Sequence, residues 1–205
     1  MNNPVSVAVL VSGGGTNLQA IIDARKSGII KNAEIRLVIS SNPNAYALER
    51  AKENGIATEV ISKKEFITAE NTEAQIIKIL ERYGIELIVL AGYMQVLSKN
   101  FTKRYERRII NIHPSLIPSF CGDGFYGLKV HEAALKKGVK VTGATVHFVN
   151  EITDGGEIIM QKAVKVLKND TPETLQKRVM QLAEWKILPE AIEKISKEIK
   201  KEREK

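Results

Sequence analysis

Apolar residues along this chain recur with two periods that take turns. Val5 to Val11 is a nearly continuous apolar run ending in Ser12-Gly13-Gly14-Gly15-Thr16-Asn17, after which Leu18, Ile21 and Ile22 recur at helical spacing. Strand, glycine loop and helix are expected in that order. Ile35 to Ile39 repeats the strand pattern before Ser40-Ser41-Asn42-Pro43-Asn44. A helix over Ala45 to Asn54, a Gly55 stop and a short strand over Ala57 to Ile61 follow. The spacing next predicts a helix over Thr72 to Tyr83, stopped by Gly84, and a strand over Ile85 to Ala91 whose unbroken apolar character suits burial on both faces. A short helix around Phe101 to Arg107 precedes a strand at Ile109-Ile110-Asn111-Ile112-His113. This alternation predicts an α/β fold of Rossmann-like type, with a mostly parallel central sheet and helices on both faces.

Beyond His113 the pattern changes. Ser119 to Gly127 holds three glycines and reads as an irregular loop, and Val130 to Lys137 reads as a helix. Val139 to Val149 alternates and pairs across a turn with Glu157 to Val166, which makes the C-terminal portion antiparallel. Thr171-Pro172-Glu173-Thr174 is a helix start, with Thr171 as cap, Pro172 first and Thr174 where Glu or Gln is usual. The long terminal helix that follows is expected to bend near Pro189. No internal repeat and no linker divides the chain. One domain over residues 1–205 is expected, with an N-terminal half of about 1–108 and a C-terminal half of about 109–205.

Composition narrows the class. No apolar run approaches the ~20 residues needed to span a bilayer, and Met1-Asn2-Asn3-Pro4 passes directly into the first strand without room for a secretory signal, so a cytoplasmic protein is expected. The single cysteine, Cys121, rules out an internal disulfide or a zinc site built on paired cysteines. The net charge of +7 comes partly from the segment Glu193 to Lys205, whose mixed signs suit a solvated helix end. Aromatic residues are few and not interleaved with basic ones, so no stacking platform for nucleic acid is visible. Small polyanionic substrates are a better use of the remaining charge.

Candidate chemistry sits at strand ends. Asn111 and His113 are two apart on a strand and project from the same face. Pro114 and Pro118 end that strand, so the pair stands at its carboxyl end, where open α/β sheets bind ligands. A satisfied histidine at a strand exit is the plain alternative. The Gly13-Gly14-Gly15 turn offers backbone N–H groups and a helix amino terminus to an anion. It lacks the lysine of a P-loop, has Leu18 where a dinucleotide fingerprint needs its third glycine, and no acid ends the second strand, so a monophosphate ester fits better. Ala91 to Leu97 would form the apolar edge of the same crevice, although Met94, Val96 and Leu97 are equally ordinary core residues. Asp154, in the loop Asn150 to Gly156, reads as a turn residue that gains a second use if an imidazole needs a carboxylate partner. His147 reads as a strand residue with a satisfied ring.

Taken together, Val9-Leu10-Val11-Ser12-Gly13-Gly14-Gly15-Thr16-Asn17-Leu18-Gln19, Leu90-Ala91-Gly92-Tyr93-Met94, Asn111-Ile112-His113-Pro114-Ser115-Leu116 and Thr142 to Val149 with Asp154 resemble the phosphoribosylglycinamide formyltransferase family over almost the whole chain. The resemblance implies the formyltransferase fold, with Asn111, His113 and Asp154 as catalytic residues. It implies ribonucleotide binding by Gly15, Thr16, Asn17, Pro114 and Glu184, and folate binding by Met94, Gln95, Val96, Leu97, Asn111 and the loop residues Asn150, Glu151, Ile152, Thr153 and Asp154. The implied reaction transfers a formyl group from 10-formyltetrahydrofolate to the amine of glycinamide ribonucleotide in purine synthesis, with no metal. Protonated His113, kept cationic by Asp154, and the Asn111 amide would then serve the developing oxyanion. The chain departs from the family pattern at Ala69, where a folate-tail arginine is usual, at Trp185 for histidine, at Glu157 and Cys121 for proline, and in a longer loop Gly122 to Gly127.

Three other classes share parts of the pattern. A formyltetrahydrofolate deformylase uses a similar core with water as acceptor, but typically carries an additional N-terminal domain, and the triple-glycine loop favours a phosphorylated acceptor. Methionyl-tRNA formyltransferases add a C-terminal RNA-binding domain. A non-catalytic nucleotide-binding module explains neither Asn111 and His113 nor Asp154. Small-molecule substrates are therefore expected, with no nucleic acid and no membrane as partners; the oligomeric state stays open.

Overall fold

The computed structural model describes residues 3–62 and 68–204, apart from the side chain of Ala69. Seven strands form one sheet in the order β3-β2-β1-β4-β5-β6-β7. β1 (Val5–Val11), β2 (Ala33–Ser40), β3 (Ala57–Val60), β4 (Leu87–Leu90) and β5 (Ile109–His113) are parallel. β6 (Val141–Phe148) and β7 (Ile158–Lys165) run antiparallel beyond β5, as the change of pattern after His113 predicts. The helices are α1 (Thr16–Lys26), α2 (Tyr46–Glu53), α3 (Ala69–Arg82), α4 (Lys99–Arg104) and α5 (Leu128–Lys137), then α6 (Pro172–Val179) and α7 (Trp185–Arg203). None of the described helices is long and apolar enough to cross a membrane.

The continuous apolar run of β1 has a direct cause. Val5, Val7, Val9 and Val11 point to one face, into a core shared with Leu18 and Ile21 of α1 and Leu188, Ile192 and Ile195 of α7. Ala8 and Leu10 point to the other, against Ile76 and Leu80 of α3 and Phe101 of α4. Both faces are covered, so Ser6, near its start, is the strand's single polar position. β1 also lies beside β4, Val9 opposite Val89, which places the glycine loop and the segment after Leu90 on either side of one crevice.

Two expectations are revised. α3 begins at Ala69 rather than Thr72, because Thr68 caps it by accepting the Asn71 N–H at 3.2 Å; its first turn, Ala69-Glu70-Asn71, is too polar to show in a hydrophobic period. The terminal helix departs from α geometry before Pro189, not at it: Met180–Glu184 is a single π turn between α6 and α7, and α7 runs on through Pro189. Proline lacks an N–H, so the Trp185 carbonyl, four residues back, receives no helical hydrogen bond from position 189. The capping box at Thr171 forms as expected, Thr171 and Thr174 each accepting the other's N–H through the hydroxyl.

Candidate active site

β5 brings Asn111 and His113 to one face, and the antiparallel pairing with β6 sets His147 opposite Asn111 and Thr145 opposite His113. His147 is therefore part of the cluster and no bystander. Its Nδ1 lies 2.8 Å from the Phe148 carbonyl and so carries a proton, which turns Nε2 toward the Asn111 amide. The Asn111 Nδ2 donates to it at 3.1 Å, which fixes the orientation of the amide and leaves its second N–H directed elsewhere. Thr145 does a different job. Its hydroxyl donates to the Ser115 carbonyl at 2.7 Å and accepts the Ile117 N–H at 3.1 Å, pinning the chain that leaves His113.

His113 is 4% exposed and both ring nitrogens face acceptors. Nε2 lies 2.9 Å from the Phe120 carbonyl, and Nδ1 lies 3.4 Å from Oδ2 of Asp154. The second oxygen of that carboxylate is 3.5 Å from His147 Nε2, and Oδ2 also accepts the Gly122 N–H at 2.9 Å. Asp154 thus joins β5, β6 and the glycine-rich loop after Ser119. Burial alone would raise its carboxyl, but the neighbouring His147 ring, the Gly122 N–H and the His113 ring outweigh burial and hold it below its ordinary value. For His113 the balance falls the other way. Burial lowers its pKa below the ordinary imidazole value and outweighs the raising effects of Asp154 and the Phe120 carbonyl. Burial and Asp154 thus pull the His113 ring in opposite directions, while an acceptor faces each of its nitrogens.

The loop that delivers Asp154 has the geometry of a turn. Asp154 has φ 54°, a left-handed conformation that Asp and Asn tolerate better than most residues. Asn150 starts the turn by accepting the Ile152 N–H at 3.0 Å. A Cβ on Gly156 would stand 1.8 Å from the Phe148 carbonyl, so glycine is what lets the loop fold back onto the end of β6. The turn is the device that aims the carboxylate.

Two ribonucleotide candidates from opposite ends of the chain meet. Asn17 Nδ2 donates to Glu184 Oε2 at 2.8 Å, because the π turn at the start of the terminal helix carries Glu184 inward under α1. Glu184 is buried, and burial raises its carboxyl to about 7 despite the Asn17 hydrogen bond. The folded chain therefore binds that proton more tightly than the unfolded chain does. The associated stability is complete below the ordinary carboxyl range and is lost as pH rises through about 7. Thermal unfolding of the ligand-free protein should accordingly lose more midpoint temperature between pH 5 and pH 8 than that of Glu184→Gln; equal losses in the two proteins would contradict this.

The crevice walls are linked as well. Ser12, at the end of β1, accepts the Met94 N–H at 2.9 Å and its hydroxyl meets that of Ser41 at 2.6 Å. Met94 and Val96 are 55% and 75% exposed, and Ile152 of the Asp154 loop is 63% exposed, apolar surface suited to a flat ring. Gln95, Asn150 and Pro114 are half-buried, and Glu151 and Thr153 are exposed. Leu97 differs from these. It lies in the core cluster with Leu90 and Phe101, so its side chain supports the wall from behind. The Ala69 side chain, where the family pattern has a folate-tail arginine, lies outside the described residues. Cys121 Sγ donates to the Pro118 carbonyl at 3.3 Å, and burial and Asp154 raise its thiol pKa, which suits a structural thiol. Among the described residues no group of three or more His, Cys, Asp or Glu side chains is arranged to hold a metal.

A parallel sheet closed by an antiparallel pair, with an Asn-His-Asp cluster at its strand ends, defines a class. The formyl transferase family profile matches residues 5–192, and the chain belongs to that family. It is 40% identical over 185 residues to the phosphoribosylglycinamide formyltransferase of Escherichia coli (strain K12), covering 90% of this chain and 84% of that protein. It is 44% identical over 194 residues to the trifunctional purine biosynthetic protein adenosine-3 of Gallus gallus; this covers 95% of the chain, which spans only 19% of that longer protein. The crystal structure of glycinamide ribonucleotide transformylase 1 from Symbiobacterium toebii superposes with a TM-score of 0.89 at 40% identity, covering 95% of this chain and 89% of the other.

Proposed function

We propose that the chain transfers the formyl group of 10-formyltetrahydrofolate to the amine of glycinamide ribonucleotide, releasing formylglycinamide ribonucleotide and tetrahydrofolate. The observation that carries this reading is the convergence of Asn111, His113, His147 and Asp154 at the carboxyl end of β5, in a sheet whose neighbouring strand ends carry the glycine loop and the apolar Met94–Val96 edge. The ribonucleotide phosphate sits on the N–H groups of Gly15, Thr16 and Asn17, its ribose against Glu184, with Pro114 beside it. The folate ring lies along Met94, Gln95 and Val96, closed over by residues 150–154.

In this arrangement the amine attacks the formyl carbon and negative charge grows on the formyl oxygen. The free N–H of the Asn111 amide donates to that oxygen, and the Nε2 proton that His113 gives to Phe120 in the free protein becomes the second donor. The new negative charge favours the protonated form of His113 against the burial that lowers its pKa, and Asp154 stabilises that form at Nδ1. Asp154 also helps carry the proton from the attacking amine to the departing folate nitrogen. The single cysteine and the soluble small-molecule substrates suit a cytoplasmic enzyme.

Incubation with 10-formyltetrahydrofolate, with and without glycinamide ribonucleotide, tests the assignment. Tetrahydrofolate should appear rapidly only when the ribonucleotide is present. Equal release without it would identify water as the acceptor and the chain as a deformylase.

A further inference from the structure

The glycine loop does not hold its shape alone. Three successive carbonyls of the loop are taken up by the segment that follows β2. The Ser12 carbonyl lies 3.5 Å from Asn42 Nδ2, the Gly13 carbonyl accepts the Ala47 N–H at 3.1 Å, and the Gly14 carbonyl accepts Arg50 Nε at 2.9 Å. The loop and α2 are pressed together, since a Cβ on Gly15 would stand 2.6 Å from Ala47 Cβ and 2.8 Å from its Cα.

A trans peptide points its N–H opposite to its C=O. Turning the carbonyls of Ser12, Gly13 and Gly14 toward α2 therefore aims the N–H groups of Gly13, Gly14 and Gly15 away from it, toward the crevice side. None of these three N–H groups has a backbone partner among the described residues, and Gly13 and Gly14 are exposed. The Gly14 carbonyl, like that of Ser12, is held by a side chain alone, and its contact is the shorter of the two. Arg50 is suited to that task. Its Nη1 donates to Gln19 Oε1 at 3.1 Å, which ties it to α1, and its guanidinium lies over the Tyr46 ring at 4.9 Å.

We propose that Arg50 is a positioning residue for phosphate recognition: by clamping the Gly14 carbonyl it fixes the Gly14–Gly15 peptide with its N–H toward the phosphate ester of the substrate. This rests on the placement of the ribonucleotide phosphate at the glycine loop. Arg50 acts through the peptide, so the planar fork matters and charge alone is insufficient. Lysine keeps the charge but cannot bond Gly14 and Gln19 together from one plane.

The test compares kcat/KM for glycinamide ribonucleotide with that for its phosphate-free riboside, in the wild-type protein, Arg50→Met and Arg50→Lys. The wild-type protein should favour the phosphorylated substrate, and both variants should lose roughly tenfold or more of that preference, the scale of a charge-assisted hydrogen bond. The loss should lie in KM for the ribonucleotide, with KM for 10-formyltetrahydrofolate and the unfolding temperature nearly unchanged. An undiminished preference in Arg50→Met would overturn the proposal while leaving the phosphate on the loop. Full retention in Arg50→Lys would reduce Arg50 to a source of field and also overturn it. Absence of a phosphate preference in the wild-type protein would instead remove the phosphate from the loop, and the proposal with it.

Discussion

Asn111→Ala should fold, bind both substrates and turn over ~10² to 10³ times more slowly, the range measured when one preorganised oxyanion donor is removed. The amide is held for donation by the His147 ring, whose Nδ1 is committed to the Phe148 carbonyl and whose Nε2 accepts from Asn111 Nδ2. An oriented donor needs no reorganisation as charge develops, which is why its loss should fall on kcat and leave KM nearly alone. Truncation also leaves His147 Nε2 without that donor, a penalty of about 1–3 kcal/mol in stability at a buried site, which a single domain of this size tolerates. Steady-state kinetics with both substrates, beside thermal unfolding, separates the two effects. A variant that is folded but has lost affinity for both substrates would make Asn111 a binding or structural residue.

What the sequence made legible, and what it hid, follows from range. β1, the glycine loop and α1 are readable because a strand buried on both faces, a run of glycines and a helical period are all local signals, and the Asn111/His113 pair is readable because strand alternation is local too. His147 is 36 residues from Asn111 in sequence, and only the β5–β6 register sets them opposite each other. No local pattern announces a register. Arg50 lies on a short, half-exposed helix among Glu49, Lys52 and Glu53, where its charge reads as solvated surface. The π turn at Met180–Glu184 went unread because a widened turn has no period of its own, whereas Pro189 is visible in the sequence. The direction of the His113 pKa is hidden for a similar reason. A carboxylate partner can be guessed from motif, but the burial that outweighs it is a property of the assembled sheet, loop and α5.

Asp154→Asn is the sharper test, because the substitution preserves nearly everything except charge. Asparagine accepts the φ of 54° that Asp154 adopts, and its amide oxygen can still accept the Gly122 N–H, 2.9 Å from Oδ2. The loop should therefore keep its path and the variant should fold and bind both substrates. What disappears is the negative charge 3.4 Å from His113 Nδ1. Burial already lowers the His113 pKa and Asp154 is the main opposing influence, so its neutralisation should move the His113 titration, followed by NMR, to still lower pH. The same change withdraws the acceptor for the amine's proton and the partner that would stabilise a protonated ring as the intermediate forms. Turnover should fall by at least ~10²-fold, the low end of a general acid–base contribution. The two readouts must move together if one interaction underlies them. Near-native turnover with an unmoved His113 titration would return Asp154 to the role of a turn residue, and the proton would have to leave the amine by another route.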